Sequence, residues 1–260
     1  MIPFYDEFFS FELYSDNSAA SLFKDARIRS MLSDDCLYKF ISFTDNVSLN
    51  DQKVRLLQNH EFWASNYKQF HDRTELHITH NPMEIARKTG WSLQKVNQLI
   101  ATTKQMNDVA CFTCNPTDFM WDNYANNRSG ICLRFSLHNS DCFYPVAYLD
   151  KLKISLTADY IRSIRTQGKV ASNKVAILPW VMKNTCFQLE LEIRFLYGSL
   201  YDDENGIMGG RIWPDKKELM AYTGNACSWD QYGLTLEEII IGERCPLEYV
   251  EQIEQIVARV

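Results

Sequence analysis

The clearest alternation of polar and apolar residues in this chain lies in residues 185–198, TCFQLELEIRFLYG. Successive side chains of a β-strand point to opposite faces, so this pattern predicts a strand with one charged face and one core face. The charged face carries Glu190, Glu192 and Arg194. The core face carries Leu189, Leu191, Ile193 and Phe195. A solvent-exposed strand shows the same alternation, so the pattern by itself does not separate a functional site from an ordinary surface.

Two kinds of pattern, period-two alternation and helical spacing of apolar residues, divide the rest of the chain into strands and helices. Period-two alternation predicts strands at residues 37–43, 60–65, 109–113, 131–135, 142–148, 151–156, 218–223 and 236–242, with 142–148 and 151–156 paired across a tight connection. Apolar residues at helical spacing predict helices at residues 18–33, 49–59, 157–165, 170–183 and 246–260, two helices within 82–106 that separate at Gly90, and one helix that begins at Pro116. We therefore expect an α+β protein with an N-terminal arm and helix at residues 1–36, followed by a single α+β domain at residues 37–260. The helices are concentrated in the first two-thirds of the chain.

Composition limits the classes of protein that fit. The chain has 260 residues, of which 46% are hydrophobic, so it is long enough to bury a core without disulfides. Its eight cysteines lie mostly in apolar runs, which predicts reduced and buried thiols, and the one CxxC has no second pair at zinc-finger spacing. A net charge of −6 argues against broad adhesion to nucleic acid or to anionic membranes. The acidic, aromatic opening segment lacks the features of a secretory signal and no apolar run is long enough to span a bilayer, so we expect a cytoplasmic protein with no membrane partner.

The charged face of the predicted strand 185–198 contains the strongest candidates for chemistry. Two carboxylates one pleat apart repel each other, which tends to raise one pKa, while Arg194 can hold the other carboxylate ionised. That division suits acid–base catalysis or the stabilisation of charge in a transition state. The chain contains no GxSxG, HExxH, Walker or GxGxxG motif, so no motif supports an elbow serine, a zinc protease, phosphoryl transfer or dinucleotide binding by a Rossmann fold.

Two other kinds of function fit the same residues. Asp72, Glu75, Glu190 and Glu192 supply the oxygen ligands of a divalent metal in a nuclease or another hydrolase, whose activity a chelator would abolish. A non-catalytic binding module would use the charged strand face as a partner surface, and Glu192→Gln would leave its function intact.

Several short motifs follow one another between residues 37 and 246: LYKF, LLQNHEFWAS, FHDRTE, VACFTC, MWDNYANNRSGICLRF, ELEIRF and IIIGERCP. This order resembles an uncharacterised bacterial domain family in which a YKY-type strand, an FSxPxxFNDPxE-type loop, a CFS strand, an MWxxYAxxHxGICIxF segment and an ExExR strand recur. The chain departs from that family where FNDP becomes FHDR at residues 70–73, and at Arg128, where the family has a histidine.

Three of these motifs are also more distantly similar to the ADP-ribosyltransferase fold. In that fold a first strand bears a Tyr-His or Tyr-Arg pair, a second strand bears an aromatic residue and a serine, and a later strand bears a glutamate, often as ExE. Here Tyr38 and Lys39 match the first motif, residues 62–65 match the second, and Glu190 and Glu192 match the third. Lys39 departs from the histidine or arginine of the first motif. The resemblance implies a single domain with a split β-sheet core.

The resemblance implies that NAD is the substrate and that Glu192 and Glu190 are catalytic. Cleavage of the nicotinamide–ribose bond passes through an oxocarbenium-like state, which a carboxylate near the ribose stabilises. Glu192 would take that role, and Glu190 would position or deprotonate the acceptor.

The NAD-binding residues would then come from the same motifs and from the segment after residue 116. Lys39 would hold ribose hydroxyls or a phosphate, and Trp63 or Tyr38 would stack on nicotinamide. Ser65 would donate a positioning hydrogen bond. Trp121 and Tyr124 would line the same pocket, although aromatic residues at helical spacing are more often part of a core.

The function implied by the resemblance is an NAD-dependent mono-ADP-ribosyltransferase that modifies a macromolecule, either protein or nucleic acid, or that hydrolyses NAD. Bacterial proteins of this kind are often toxins or anti-phage defence effectors, so an antitoxin or chaperone partner is a further expectation. No metal is expected in the site.

Overall fold

The structure of the protein is a computed structural model, which describes residues 18–70, 75–76, 78–103, 107–149, 154–156, 180–198 and 221–258. The helices are α1 (Ser18–Met31), α2 (Val47–Gln58), α3 (Pro82–Thr89), α4 (Leu93–Thr103), α5 (Asp118–Tyr124) and α6 (Leu247–Val257). The strands are β1 (Cys36–Ile41), β2 (Glu61–Asn66), β3 (Ile78–His80), β4 (Asp108–Thr113), β5 (Ile131–Leu137), β6 (Phe143–Pro145), β7 (Ala147–Leu149), β8 (Ile154–Leu156), β9 (Met182–Asn184), β10 (Glu192–Tyr197), β11 (Gly224–Ser228) and β12 (Leu234–Ile241). Short 3₁₀ helices occupy Tyr67–Gln69, Thr185–Glu190 and Asp230–Tyr232.

Eight of the twelve described strands form one antiparallel sheet, and together with the helices they confirm the predicted α+β class. Its order is β11-β2-β4-β1-β5-β12, and β10 pairs with both β4 and β6. Two small parallel pairs, β3 with β8 and β7 with β9, accompany the sheet. Among the helices of the described part of the chain, none is both long and apolar enough to cross a bilayer.

The large sheet splits at strand β4. On one side β10 pairs with β4 along its whole length, from Tyr197 opposite Asp108 to Glu192 opposite Thr113. On the other side β2 pairs only with the beginning of β4, and β1 pairs only with Thr113 at its end. Strands β1 and β2 therefore diverge, and the middle of β4 opens into the space between them.

The hydrophobic core covers one face of this sheet. Its centre is a set of phenylalanines in edge contact, with the ring of Phe62 lying 5.4 Å from Phe112 and 5.0 Å from Phe195 between centroids. Helices α1, α2 and α6 contribute buried side chains to the same cluster, including Ile28, Val54, Leu57, Tyr249 and Ile253. Each fully buried aliphatic or phenylalanine side chain stabilises the fold by about 1.5–3 kcal/mol. Burial in this core therefore holds β1 and β2 in place where they diverge.

Local side-chain signals set the ends of several helices. The side chain of Asn81 accepts a hydrogen bond from the backbone of the first turn of α3, and Gly90, with φ of 72°, ends that helix as predicted. The helix predicted to begin at Pro116 instead begins at Asp118, because the hydroxyl of Thr117 caps its first turn. The predicted C-terminal helix is confirmed as α6, beginning at residue 247.

The prediction of one continuous strand at residues 185–198 is wrong in its first half. Residues 185–190 form a 3₁₀ helix, Leu191 adopts a left-handed conformation with φ of 44°, and only then does β10 begin. The reason is tertiary: the Thr113 hydroxyl donates to the carbonyl oxygen of Glu190, and the backbone N–H of Cys114 donates to the carbonyl of Leu191. Leu189 and Leu191 are consequently exposed instead of lying in the core, whereas Ile193 and Phe195 are buried as predicted.

Other differences concern the middle of the chain. The strands predicted at residues 142–148 and 151–156 do not pair with each other, because β6 pairs with β10, β7 with β9 and β8 with β3. The helix predicted at residues 170–183 does not extend to its predicted end, since Met182 and Lys183 belong to β9. The helix predicted at residues 157–165 and residues 218–220 of the strand predicted at 218–223 lie outside the described residues, and residues 221–223 do not form a strand.

Candidate functional site

A cleft of about 580 Å³ opens where the sheet splits. Its floor is the middle of β4, and its walls come from β1, β2, β10, α5 and the segment around β9. The predicted site residues that line it are Tyr38, Lys39, Trp63, Ser65, Tyr124, Glu190 and Glu192. Trp121 does not line this cleft. Its ring instead packs edge-on against Phe40, with centroids 5.0 Å apart.

A cluster of five charged side chains, three carboxylates and two cations, lies along one side of the cleft. The Arg194 guanidinium donates to both oxygens of Glu192, at 2.8 Å from Nε and 3.3 Å from Nη2, and Nη2 also lies 2.6 Å from Glu75. The Lys183 ammonium contacts Glu190, lies 3.1 Å from Glu192 and lies 3.7 Å from Glu75. All five side chains are less than 10% exposed, so these ion pairs form in surroundings where charges interact strongly.

Glu192 is held in its ionised form. Burial by itself would raise the pKa of Glu192, but the charges of Arg194 and Lys183 outweigh burial and lower the pKa to about 2. The backbone N–H of Glu192 donates to the hydroxyl of Tyr148 at 2.8 Å, which fixes the start of β10. The site therefore presents a permanent negative charge at neutral pH.

Glu190 has the opposite tendency although it lies beside the same lysine. Burial raises the pKa of Glu190, and the hydrogen bonds from Lys183 and Tyr124 oppose that rise only in part. One of its carboxylate oxygens accepts a hydrogen bond from the Tyr124 hydroxyl, and the other contacts the Lys183 ammonium. Tyr124 is 39% exposed whereas Glu190 is 3% exposed, so Tyr124 connects the buried carboxylate to the cleft surface.

The predicted metal cluster is not supported by this geometry. Glu75, Glu190 and Glu192 do converge, but the ammonium of Lys183 lies among them at the place where a cation would sit. Over the part of the chain that the structure describes, no group of three His, Cys, Asp or Glu side chains is disposed to hold a metal ion. Asp72, the fourth residue of that prediction, lies outside the described residues.

Lys39 points from β1 toward the opposite wall of the sheet split. Its ammonium lies 5.1 Å from the ring centroid of Phe112 and 5.9 Å from that of Phe62, and donates to the carbonyl oxygen of Cys111 at 3.4 Å. Part of the side chain is open to the cleft, but protein atoms enclose the ammonium, and this burial lowers the pKa of Lys39. No described carboxylate lies within ion-pair distance of it, in contrast to Lys183 and Arg194.

The aromatic residues predicted to contact a ligand take different positions. Trp63, on β2, is 38% exposed at the cleft wall, and its ring lies against Gly224. A side chain at Gly224 would place its Cβ 2.7 Å from the indole nitrogen of Trp63, so a glycine at this position leaves room for that ring. Tyr38 is buried, with its hydroxyl donating to Asp34 at 2.5 Å, so only part of it reaches the cleft.

Two parts of the site were missed from the sequence. Lys183 was predicted to lie at the end of a helix. It lies instead on β9, where its ammonium bridges the carboxylates of Glu190 and Glu192. Cys111 was predicted to be buried in the apolar run VACFTC, yet the residue is exposed at the cleft and its thiol lies beside Glu192. All eight cysteines are free thiols as predicted, although Cys186 is exposed as well as Cys111.

Comparison of the chain with known proteins found no match. No protein-family model, no curated protein and no solved structure matches the chain. The resemblances drawn from its motifs therefore stay predictions.

Proposed function

We propose that the protein is an NAD-dependent ADP-ribosyltransferase with its active site in the sheet split. One observation carries this proposal. Three motifs that are far apart in the sequence, on β1, at the end of β2 and at the start of β10, line a single cleft. An ADP-ribosyltransferase-like core needs these three motifs to meet, and a chain in which they were merely surface features would have no reason to bring them together.

The size and lining of the cleft support a nucleotide substrate. Its volume of about 580 Å³ falls within the usual range for small-molecule sites. Aromatic side chains of Trp63, Phe70 and Phe187 offer flat apolar surfaces for rings. The charged cluster lies beside two of them, with Lys183 4.7 Å from the ring centroid of Phe187 and Arg194 5.8 Å from that of Phe70. Aromatic and charged groups in one cleft suit a ligand with heterocyclic rings joined by a polar, charged link.

The charge state of Glu192 supports its role at the ribose. When the nicotinamide–ribose bond breaks, its electron pair leaves with nicotinamide, and positive charge develops on the ribose ring. An ionised carboxylate stabilises that charge, and the low pKa of Glu192 keeps it ionised at neutral pH. Arg194 and Lys183 hold the carboxylate in place, so it need not reorganise as the charge develops.

The surroundings of Glu190 support a role in removing a proton from the acceptor. The acceptor forms a new bond to the ribose carbon and must lose a proton, which Glu190 would take through the hydroxyl of Tyr124. The raised pKa of Glu190 makes it a better proton acceptor than a fully ionised surface carboxylate. Water in place of the acceptor would give NAD hydrolysis by the same residues.

The macromolecular acceptor and any antitoxin or chaperone partner belong to this proposal as expectations. The proposed acceptor is a protein or a nucleic acid, and the labelled fraction in the experiment below would identify the class.

The test is to incubate the purified protein with labelled NAD in cell extract, and to follow nicotinamide release and the label on protein, RNA and DNA. Glu192→Gln is the informative variant, because it removes the proposed catalytic carboxylate and leaves two carboxylates and two cations, so that no buried cation loses its counter-charge. Glu251→Gln, an exposed change on α6, is the matched control. We expect wild type and Glu251→Gln to consume NAD and Glu192→Gln to lose activity by about 10²-fold or more. The proposal would be refuted if the folded wild-type protein neither bound nor consumed NAD.

A further inference from the structure

Helices α3 and α4 form a helix–turn–helix unit. The side chain of Asn81 caps α3, which ends at Gly90, and the Ser92 hydroxyl accepts a hydrogen bond from the backbone N–H of Lys95 at 3.2 Å in the first turn of α4. Only residues 90–92 therefore separate the two helices, which pack against each other. A turn of this length that contains glycine is typical of the helix–turn–helix of DNA-binding proteins.

The turn and the inner face of this unit are well determined by the sequence. Gly90 has a φ of 72°, and a Cβ at this position would meet no atom within 4 Å, so glycine is needed for its backbone conformation and not for space. Ile85 on α3 and Val96 on α4 are buried, with 2% and 0% exposure. Burial of Val96 directs the opposite side of α4 outward.

The outward side of α4 carries amide side chains. Gln94, Asn97 and Gln98 are all exposed, and they form one surface because residues three and four apart are neighbours on a helix. Within the described part of the chain, no hydrogen bond engages these three side chains. Asparagine and glutamine side chains form bidentate hydrogen bonds with the edge of adenine in the major groove of DNA. Leu93, which is 46% exposed beside them, suits contact with the methyl group of thymine.

The charge of the unit has the opposite sign to that of the whole chain. The protein has a net charge of −6, whereas residues 81–98 contain three basic residues and one acidic residue. Glu84 is paired with Lys88, so the net positive charge of the unit comes from Arg87 and Lys95, which are both exposed. Basic side chains beside the amides complement the phosphates that border the major groove.

We propose that α3 and α4 bind duplex DNA, with α4 in the major groove and with a preference for sites that contain adenine. An 11-residue helix is about 16 Å long, and the major groove is about 12 Å wide, so the groove admits α4. The first helix of such a unit crosses the DNA backbone, which places α3 near the phosphates. None of these residues lines the cleft, so the inference goes beyond the proposed transferase and does not rest on it.

The first test is the selection of bound duplexes from a library of random-sequence DNA at low salt. The informative variant is Gln94→Ala/Asn97→Ala, and the matched control is Gln255→Ala, which removes an exposed glutamine from α6. We expect wild type and control to enrich the same adenine-containing sequences, and to bind the enriched duplex roughly tenfold more tightly than the double variant does. The inference is overturned if wild type enriches no sequence, or if the folded double variant enriches the same sequences and binds them equally well.

The second test separates contacts to phosphates from contacts to bases. Lys95→Met should weaken binding to all duplexes to a similar degree, and should lower the slope of log affinity against log salt concentration by about 1. An RNA duplex of the enriched sequence should bind more weakly than the DNA, because the major groove of A-form RNA is too narrow for side chains to read. Equal affinity for the DNA and RNA duplexes, or an unchanged salt slope in Lys95→Met, would contradict binding in the major groove.

These results are distinguishable from those of the NAD assay. If wild type enriches duplex DNA but does not consume NAD, DNA binding stands and the transferase proposal fails. If NAD is consumed but no duplex is enriched, the transferase proposal stands and DNA binding by α3 and α4 fails.

Discussion

Removal of Lys183 is the most direct test of how the cleft is held together. In Lys183→Met, the carboxylates of Glu190 and Glu192 lose their shared cation while both remain buried. Arg194 would be the only cation of the cluster left to oppose them and Glu75. A buried ion pair that loses one partner costs more than the pair itself contributed, because the remaining charge has neither water nor a counter-charge.

The expected loss is about 3–5 kcal/mol in the free energy of unfolding. For a domain of this size that corresponds to a fall in Tm of roughly 6–20 °C. The matched control is Lys88→Met, which removes an exposed ion pair with Glu84 in which the lysine side chain is 40% exposed. That change should cost less than about 1 kcal/mol.

A double-mutant cycle in urea isolates the interaction between Lys183 and Glu190. Lys183→Met with Glu190→Gln leaves two carboxylates and one cation in the cluster, which restores the net charge of the wild-type cluster of three carboxylates and two cations. The double variant should therefore be more stable than Lys183→Met alone, with a coupling energy of about 1–3 kcal/mol. Strict additivity of the two single changes would refute the argument that this ammonium neutralises the buried carboxylates.

Two further outcomes follow from the carboxylates. Glu192 has a folded-state pKa of about 2 against an ordinary value of 4.5, so its contribution to stability is complete above about pH 5 and is lost as the pH falls toward 2. Urea titrations across that range should show a loss of about 2–3 kcal/mol that Glu192→Gln largely removes; an equally steep loss in the variant would assign it to other groups. Tyr124→Phe leaves an oxygen of Glu190 without its donor and should lower acceptor labelling by about 10²-fold while changing the Kd for NAD much less. An equal loss of NAD binding and labelling would show that Tyr124 acts in binding instead.

The charged face was predictable because it depends on spacing alone. Glu192 and Arg194 share a face of β10, as alternation predicted, whereas Glu190 reaches the same cluster from the end of the 3₁₀ helix. The path of the backbone was not predictable, because Leu191 turns left-handed in response to contacts with residues 113 and 114 of another strand. Local β-propensity favours a straight strand there, and tertiary hydrogen bonds override it.

Lys183 and Cys111 show the limits of patterns along a single segment. Lys183 follows the run VAILPWVM, whose apolar residues fit a helix as well as a buried strand. Its role depends on carboxylates that approach from β10 and from residue 75, which no local pattern encodes. Cys111 lies in an apolar run typical of a central strand. It is exposed because the two neighbouring strands diverge there, and divergence is a property of the whole sheet.

The turn at Leu191 gives the site its asymmetry. In a regular strand, residues 190 and 192 would project side by side and meet equivalent surroundings. Leu191, which lies between them, adopts a left-handed conformation, so the two glutamates have different surroundings. Glu192 begins β10 and accepts hydrogen bonds from Arg194 and Lys183. Glu190 ends the 3₁₀ helix and accepts hydrogen bonds from Lys183 and Tyr124. One carboxylate is therefore fixed as an anion and the other has a raised pKa, although both contact the same ammonium. A reaction that needs a permanent negative charge beside a proton acceptor requires this difference, and the left-handed residue between the two glutamates is what produces it.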